Sequence, residues 1–460
     1  MPQAHRVRLL MIALALGAGL AAQTPSAAPL QGPWHGTLAL GVMQLRLVID
    51  LETRGGLHAK LQSPDQSPAW LPAAAAIWDG ATLTLRFDSI GGTLRATMQG
   101  NQLQGTWLQS GQSFPLTLEP GPLRIVLREP LAPFPYRQVS VTVPNRAAKI
   151  ALAGTLTLPP GAGPFPAVLL IPGSGPMDRD ATVFGHHPFL VLADALTRRG
   201  LAVLRLDDRG VGRSTGNFSA ATAFDLAQDA DSAFDYLKQR PEIDPRRVGL
   251  LGHSEGGMLA PVIASRRPDV AFIVLLAGPG EPGDALLLSQ AKAMNVAAGV
   301  PADAQEANAR VQRAVFAIVR SVQTTAELQT RLQQEQAAGR LPKVPWQRLM
   351  LGSLPWFRSF LDFDPQVYLR RVSCPVLALI GARDTQVPAE ENLPLIRAAL
   401  QQAGNRDVQV TELPGLNHLF QTAVTGLPAE YAPSPETIAP VALKLIGDWV
   451  AAHTRPRPAG

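Results

Sequence analysis

The apolar run Val248-Gly249-Leu250-Leu251 passes without a gap into Gly252-His253-Ser254-Glu255-Gly256, and a small-residue helical pattern follows. That order describes a strand, a sharp turn and a helix. Flanking glycines let the strand and helix approach without Cβ clashes, and a serine at the apex has its hydroxyl held clear of the backbone. The chemistry this geometry serves is nucleophilic attack on an acyl carbon.

Gly212-Arg213-Ser214-Thr215-Gly216 fits the same pattern. It is separated from its own strand, Leu201 to Leu206, by the loop Asp207-Asp208-Arg209-Gly210-Val211, and its sequel Asn217-Phe218-Ser219 reads as more loop. Context therefore makes Ser254 the candidate nucleophile and Ser214 a serine in a turn.

Around Ser254 the apolar runs Ala167 to Ile171, Leu201 to Leu206, Val248 to Leu251, Ala271 to Leu276, Val376 to Ile380 and Val408 to Leu413 alternate with helical patterns. Near-continuous apolar strands in βαβ alternation imply a parallel sheet covered on both faces. The pairs Val139 to Val143 and Ile150 to Leu158 predict a hairpin ahead of it. Between Gly280 and about Phe363 the alternation lapses into helix-like sequence such as Ala302 to Gln336, followed by Trp346, Trp356, Phe357, Phe360 and Phe363. An inserted helical cap, about residues 281–364, accounts for this, with the aromatics either lining an apolar pocket or cementing cap to core.

A serine hydroxyl needs a base within hydrogen-bond reach, and the base needs a carboxylate to fix its tautomer. His418, in the loop Pro414-Gly415-Leu416-Asn417-His418 directly after the last strand, is the candidate base. The other histidines fall in the leader, the N-terminal region, upstream of the serine, inside the elbow or in the polar tail. Asp384 closes the strand Val376 to Ile380, at the carboxyl end of the sheet where sites form. Glu412 is the runner-up acid, but it lies within its strand. The order Ser254, Asp384, His418 is the one an elbow serine of this type is expected to have. Two backbone donors for an oxyanion are predicted, the Glu255 amide at the start of the elbow helix and the Ser174 amide in Pro172-Gly173-Ser174-Gly175.

The preceding region reads differently. From about Trp34 to Glu119 the period is two: Leu83, Leu85 and Phe87 alternate with Thr84, Arg86 and Asp88, and turn signals recur at Gly55-Gly56, Asp79-Gly80, Gly91-Gly92 and Gly100-Asn101. A small antiparallel all-β domain over residues 31–120, barrel-like or a sandwich, is expected, with Trp34 and Trp107 closing its two ends. Five prolines between Pro120 and Pro135 predict an extended linker over 121–136. The catalytic domain is then expected over 137–456.

Arg6 and Arg8 precede the apolar run Leu9 to Ala22, which reads as a signal peptide over residues 1–22. As a helix the run would reach roughly 21 Å, short of a bilayer core of about 30 Å. An exported chain, periplasmic or extracellular and without stable membrane insertion, is the expectation. The one cysteine, Cys374, excludes an intrachain disulfide and reads as an inert buried residue. The net charge of +5 is spread over separated arginines, which gives no sign of a nucleic-acid partner.

Taken with Gly173-Ser174-Gly175-Pro176-Met177-Asp178-Arg179-Asp180, Asp207 to Ser214, Gly252 to Gly257 and Leu275 to Gly280, the chain from about Val139 onward resembles the α/β-hydrolases, specifically exported bacterial esterases with an N-terminal β domain. The resemblance implies hydrolysis of short-chain carboxylic esters, a small-molecule substrate, and no metal or organic cofactor. It also implies that Asp178, Arg179, Asp208 and Arg209 form an ion-pair set behind the site. The same three residues would serve a secreted peptidase, which would need a cap carboxylate to bind an amino group; Glu327 and Glu335 are in exposed-looking helical sequence. A binding module on a silent hydrolase scaffold is the rival of another class.

Overall fold

The computed structural model describes residues 30–40, 43–66, 70–123, 127–342 and 355–455. The expected signal segment and Trp346 lie outside them. Two sheets organise the chain.

The first has the order β4-β3-β2-β1-β9-β8-β7-β6-β5. Its strands are β1 (Gly32–Leu40), β2 (Met43–Glu52), β3 (His58–Gln62), β4 (Leu71–Pro72), β5 (Ala75–Trp78), β6 (Thr82–Phe87), β7 (Gly92–Gln99), β8 (Gln102–Gln109) and β9 (Gln112–Pro120). All neighbours are antiparallel. Alternation buries Leu83, Leu85, Phe87 and Leu94 on one face, with Ile49, Leu51 and Leu118, in a core separate from the rest of the chain. Trp34 and Trp107 are both buried in it. They do not close the sheet's two ends, however: β1 pairs with β9 and β9 with β8, so both tryptophans sit on central strands. Chain ends that return to each other put the first and last strands in the middle of a sheet, not at its edges.

The second sheet has the order β10-β11-β13-β12-β14-β15-β16-β17. It comprises β10 (Arg137–Asn145), β11 (Ile150–Leu158), β12 (Phe165–Ile171), β13 (Ala202–Leu206), β14 (Ile243–His253), β15 (Ile273–Leu276), β16 (Val376–Gly381) and β17 (Val408–Leu413). The hairpin β10–β11 joins antiparallel to β13, and all later neighbours are parallel. Alternate residues of β12 serve opposite faces: Ala167, Leu169 and Ile171 enter one core, Val168 and Leu170 the other. Helices α1 (Pro188–Thr197), α2 (Ala223–Lys238) and α3 (Glu255–Ala264) follow strands in turn. The chain has the α/β-hydrolase fold, preceded by the antiparallel β region.

The cap leaves after β15 as α4 (Gly283–Ala297), α5 (Ala302–Ser321), α6 (Thr325–Ala337) and α7 (Pro355–Leu361). The stretch Ala302 to Gln336 is thus two helices. The second begins where the Thr324 side chain caps the Glu327 amide and Glu327 returns the bond to Thr324, a capping box that restarts the helix after Val322. The chain then passes through α8 (Gln366–Leu369) into β16, and α9 (Ala389–Gln402) and α10 (Pro440–His453) complete the covering: α2, α3 and α9 on one face, α1 and α10 on the other.

Candidate active site

Ser254 stands between β14 and α3 with φ 55° and ψ −119°. A non-glycine residue held in such a region costs about 1–3 kcal/mol and persists only where its surroundings fix it. Its amide donates to the Leu276 carbonyl of β15 at 2.8 Å, and its carbonyl accepts from the Gly257 amide at 2.9 Å. The elbow is therefore pinned from both sides, with the half-buried serine at the head of the sheet.

Asp384 follows β16, its side chain fully enclosed. Its Oδ1 accepts from the Gln386 and Val387 amides, both at 2.8 Å, and its Oδ2 faces His418 Nδ1 at 2.8 Å. With Nδ1 bonded to the carboxylate, Nε2 is the nitrogen free to exchange a proton. The His418 loop is braced by Asn417, whose Oδ1 accepts from the Leu419 and Gln421 amides at 3.0 and 2.9 Å. Gly381 allows the loop to come this close, since a Cβ there would lie 2.1 Å from the Leu416 carbonyl. Glu412 is exposed on β17.

The Gly173-Ser174 turn sits directly over the nucleophile: a Cβ on Gly173 would lie 3.1 Å from Ser254 Cβ. Glu255 is the first residue of α3, where the amide has no intrahelical acceptor and the helix dipole favours negative charge. The two expected oxyanion donors therefore belong to segments that adjoin Ser254, the Gly173-Ser174 turn and the first turn of α3. The carboxyl group of Glu255 has a separate role that the sequence did not signal. It is buried, and its Oε1 accepts from Trp356 Nε1 of α7 at 2.6 Å, while its Oε2 has no hydrogen-bond partner among the described residues. Burial pushes it up to about 7, against the Trp356 hydrogen bond that favours its charged form.

Ser254, His418, Ser174 and Glu255 share the lining of one cavity of about 310 Å³. The cap supplies Leu286, Leu287, Gln290, Trp356 and Phe360; the loop after β12 and the C-terminal loop supply Phe184 and Tyr431. The cap aromatics divide between the two expectations. Trp356 and Phe360 line the cavity, Phe357 packs on Phe316 inside the cap, and Phe363 is buried against Phe224 and Tyr368. Glu327 is spent on its capping box and Glu335 on Arg340, and residues 343–354 contain no acid.

His253, inside the elbow, packs its ring 4.9 Å from that of His418, and its Nε2 lies 2.9 Å from the His418 carbonyl. Burial and the adjacent His418 drive it down to about 3, so it is a neutral donor that holds the His418 backbone. The ion pairs differ from expectation. Arg179 pairs with Asp207 at 2.6 Å and Arg209 with Asp229 at 2.7 Å. Asp178 accepts from Thr182 in a turn, and Asp208, accepting from the Met177 amide at 2.9 Å, is pushed up to about 8 chiefly by burial. Adjacent residues on a strand-end loop face different ways, so identity alone did not assign the partners.

The profile of a family described as serine aminopeptidase, S33, matches residues 188–422, just over half of the chain. Esterase EstD of Thermotoga maritima is 28% identical over 270 residues, 58% of this chain and 58% of EstD, so the match spans somewhat over half of that relative. Among solved structures, the Pyrococcus furiosus esterase Pf2001 aligns with a TM-score of 0.40 at 17% identity, over 64% of this chain and 91% of its own. The α/β-hydrolase GrgF of Penicillium sp. sh18 aligns at 0.44 and 17%, over 70% and 99%.

Proposed function

From the premise that this chain belongs to the serine aminopeptidase, S33 family of α/β-hydrolases, we propose that it is an exported serine carboxylesterase acting on small esters. The observation that carries the reading is the meeting of the strained Ser254 elbow and the Asp384–His418 pair at one cavity. In this reading Ser254 Oγ attacks the ester carbonyl carbon as His418 Nε2 takes its proton, and Asp384 holds the imidazole and stabilises its charged form. The Ser174 and Glu255 amides receive the oxyanion, each such donor contributing about 10²–10³ to turnover. His418 returns the proton to the leaving alcohol, giving an acyl-enzyme; a water that His418 deprotonates then releases the acid and restores Ser254.

The small cavity favours short acyl chains, lying at the lower end of the roughly 300–1,000 Å³ range of ligand pockets. The name of the family also supports an amide-cleaving alternative. Against it, the described cap residues at the cavity bring no carboxylate to receive a substrate ammonium group. Ser254→Ala should reduce ester turnover by roughly 10⁶ while leaving the circular dichroism spectrum intact. Substantial turnover in that variant would sink the assignment, and faster cleavage of matched amides than of esters by the wild type would transfer it to the peptidase reading.

A further inference from the structure

The N-terminal sheet touches the catalytic unit through a buried arginine. Arg46 lies on β2 and is 8% exposed. Its Nε donates to Asp65 Oδ1 at 2.8 Å, its backbone amide donates to Asp65 Oδ2, and Asp65 is itself buried in the turn after β3. The guanidinium also reaches beyond the sheet: Nη1 donates to the Ala432 carbonyl at 3.2 Å, and Nη2, which shares the Asp65 Oδ1 contact, donates to the Phe184 carbonyl. A planar fork of five donors can hold a carboxylate on one edge and two carbonyls on the other, which a point-charge ammonium cannot.

One clamped carbonyl belongs to a residue of the cavity wall and the other to the residue that follows one. Phe184 lines the cavity, and so does Tyr431, the neighbour of Ala432. Their rings meet edge to face at 5.3 Å. Phe184 is a non-glycine residue at φ 51°, a conformation that needs outside support. The Tyr431 carbonyl is held by His186 Nε2 at 2.8 Å, and its hydroxyl accepts from Gln386 Nε2 at 3.1 Å, the residue whose amide binds Asp384.

We propose that Arg46 of the N-terminal sheet is a positioning residue for the substrate cavity: by clamping the Phe184 and Ala432 carbonyls it fixes the spacing of the Phe184 and Tyr431 rings, and so the size of ester admitted. This rests on the reading that the Ser254 cavity receives the ester. It gives the N-terminal sheet a function, since the wall is completed from a unit far from the nucleophile in sequence. Asp65 anchors the guanidinium so that its fork faces outward.

The test is steady-state kinetics of the full chain on p-nitrophenyl esters from acetyl to octanoyl. Active sites are counted with a serine-directed phosphonate, so that kcat and KM refer to competent molecules. In Arg46→Met the ratio of kcat/KM between the longest and shortest esters should shift by about tenfold or more, the scale on which an apolar pocket discriminates a methylene. The change should fall on KM. Arg46→Lys keeps the charge and the Asp65 pair but loses the fork, so it should shift the ratio in the same direction. Arg86→Ala, which removes the exposed pair with Asp88 on the same sheet, should leave the ratio unchanged. A wild-type ratio in Arg46→Met at full titre, or an equal loss on every ester, would overturn the proposal; if Arg46→Met yields no titratable sites, Arg46→Lys decides by the same ratio. Failure of the underlying reading has a different signature, namely ester turnover that survives Ser254→Ala.

Discussion

At the scale of single residues, the consequential group is the Glu255 carboxyl. Unfolded, it loses its proton near the ordinary 4.5; folded, near 7. Between those values the folded chain holds a proton that the unfolded chain has released, so this contribution to stability is complete below about pH 4.5 and declines as the pH rises to about 7. Glu255→Gln should flatten that part of the melting temperature profile, and a variant profile parallel to wild type from pH 4.5 to 7 would refute the assignment. Ser214, the other serine in a G-x-S-x-G pattern, tests the opposite point. Its Oγ accepts from the Ala153 amide and donates to the Asp207 carbonyl, both at 2.8 Å. Ser214→Ala should cost about 1–3 kcal/mol in urea unfolding with turnover nearly unchanged; a large loss of turnover would mean that the wrong elbow was chosen. That Ser254, Asp384 and His418 lie at the same end of the sheet was legible in the sequence because each follows a strand, and the carboxyl ends of parallel strands share one edge. The His253 bond to the His418 carbonyl and the Trp356 bond to Glu255 join residues 165 and 101 positions apart. No local pattern records such pairs.

At the scale of elements, helix α2 illustrates how much of the catalytic unit rests on local signals. Thr222 caps the Asp225 amide while Asp225 bonds back to the Thr222 amide. Thr222→Ala should lower stability by about 0.5–2 kcal/mol, read from the urea midpoint at constant slope. A loss outside that range would mean that Thr222 does more than cap. Strands β12, β15 and β16 were legible because a strand buried on both faces must be apolar throughout, whereas the edge strand β17 carries Gln409, Thr411 and the exposed Glu412. The cap was legible only as helical sequence. Its break near Val322 is written in the Thr324–Glu327 spacing, but Phe357 and Phe360, three residues apart on α7, separate into cap core and cavity wall by a tertiary choice. The first sheet shows the same division: alternation gave its buried face, while the meeting of β1 with β9 depends on how the ends of the meander return.

At the scale of the whole molecule, the two sheets have separate hydrophobic cores, joined at the Arg46 clamp and along the segment that follows β9. There, Arg128 donates to the Pro435 carbonyl at 3.0 Å and Glu129 accepts from the His187 amide and Thr437. If the chain is exported as proposed, protein recovered from a bacterial periplasm should begin within a few residues of Gln23; intact Met1 in that fraction would refute cleavage of a signal peptide, and confinement of the protein to the cytoplasm would refute export. Cys374 suits either compartment, since burial pushes its thiol up to about 12 and keeps it unreactive. The cap carries one more implication. The Gly283 amide donates to the Phe363 carbonyl at 2.9 Å, and Asn392 Oδ1 accepts from the Gly280 amide at 2.8 Å, so the chain departs and returns through a single doorway. A segment bounded in this way is a cassette: lineages could lengthen, trim or exchange it without re-registering any strand. Diet could diversify while the chemistry beneath stayed inherited.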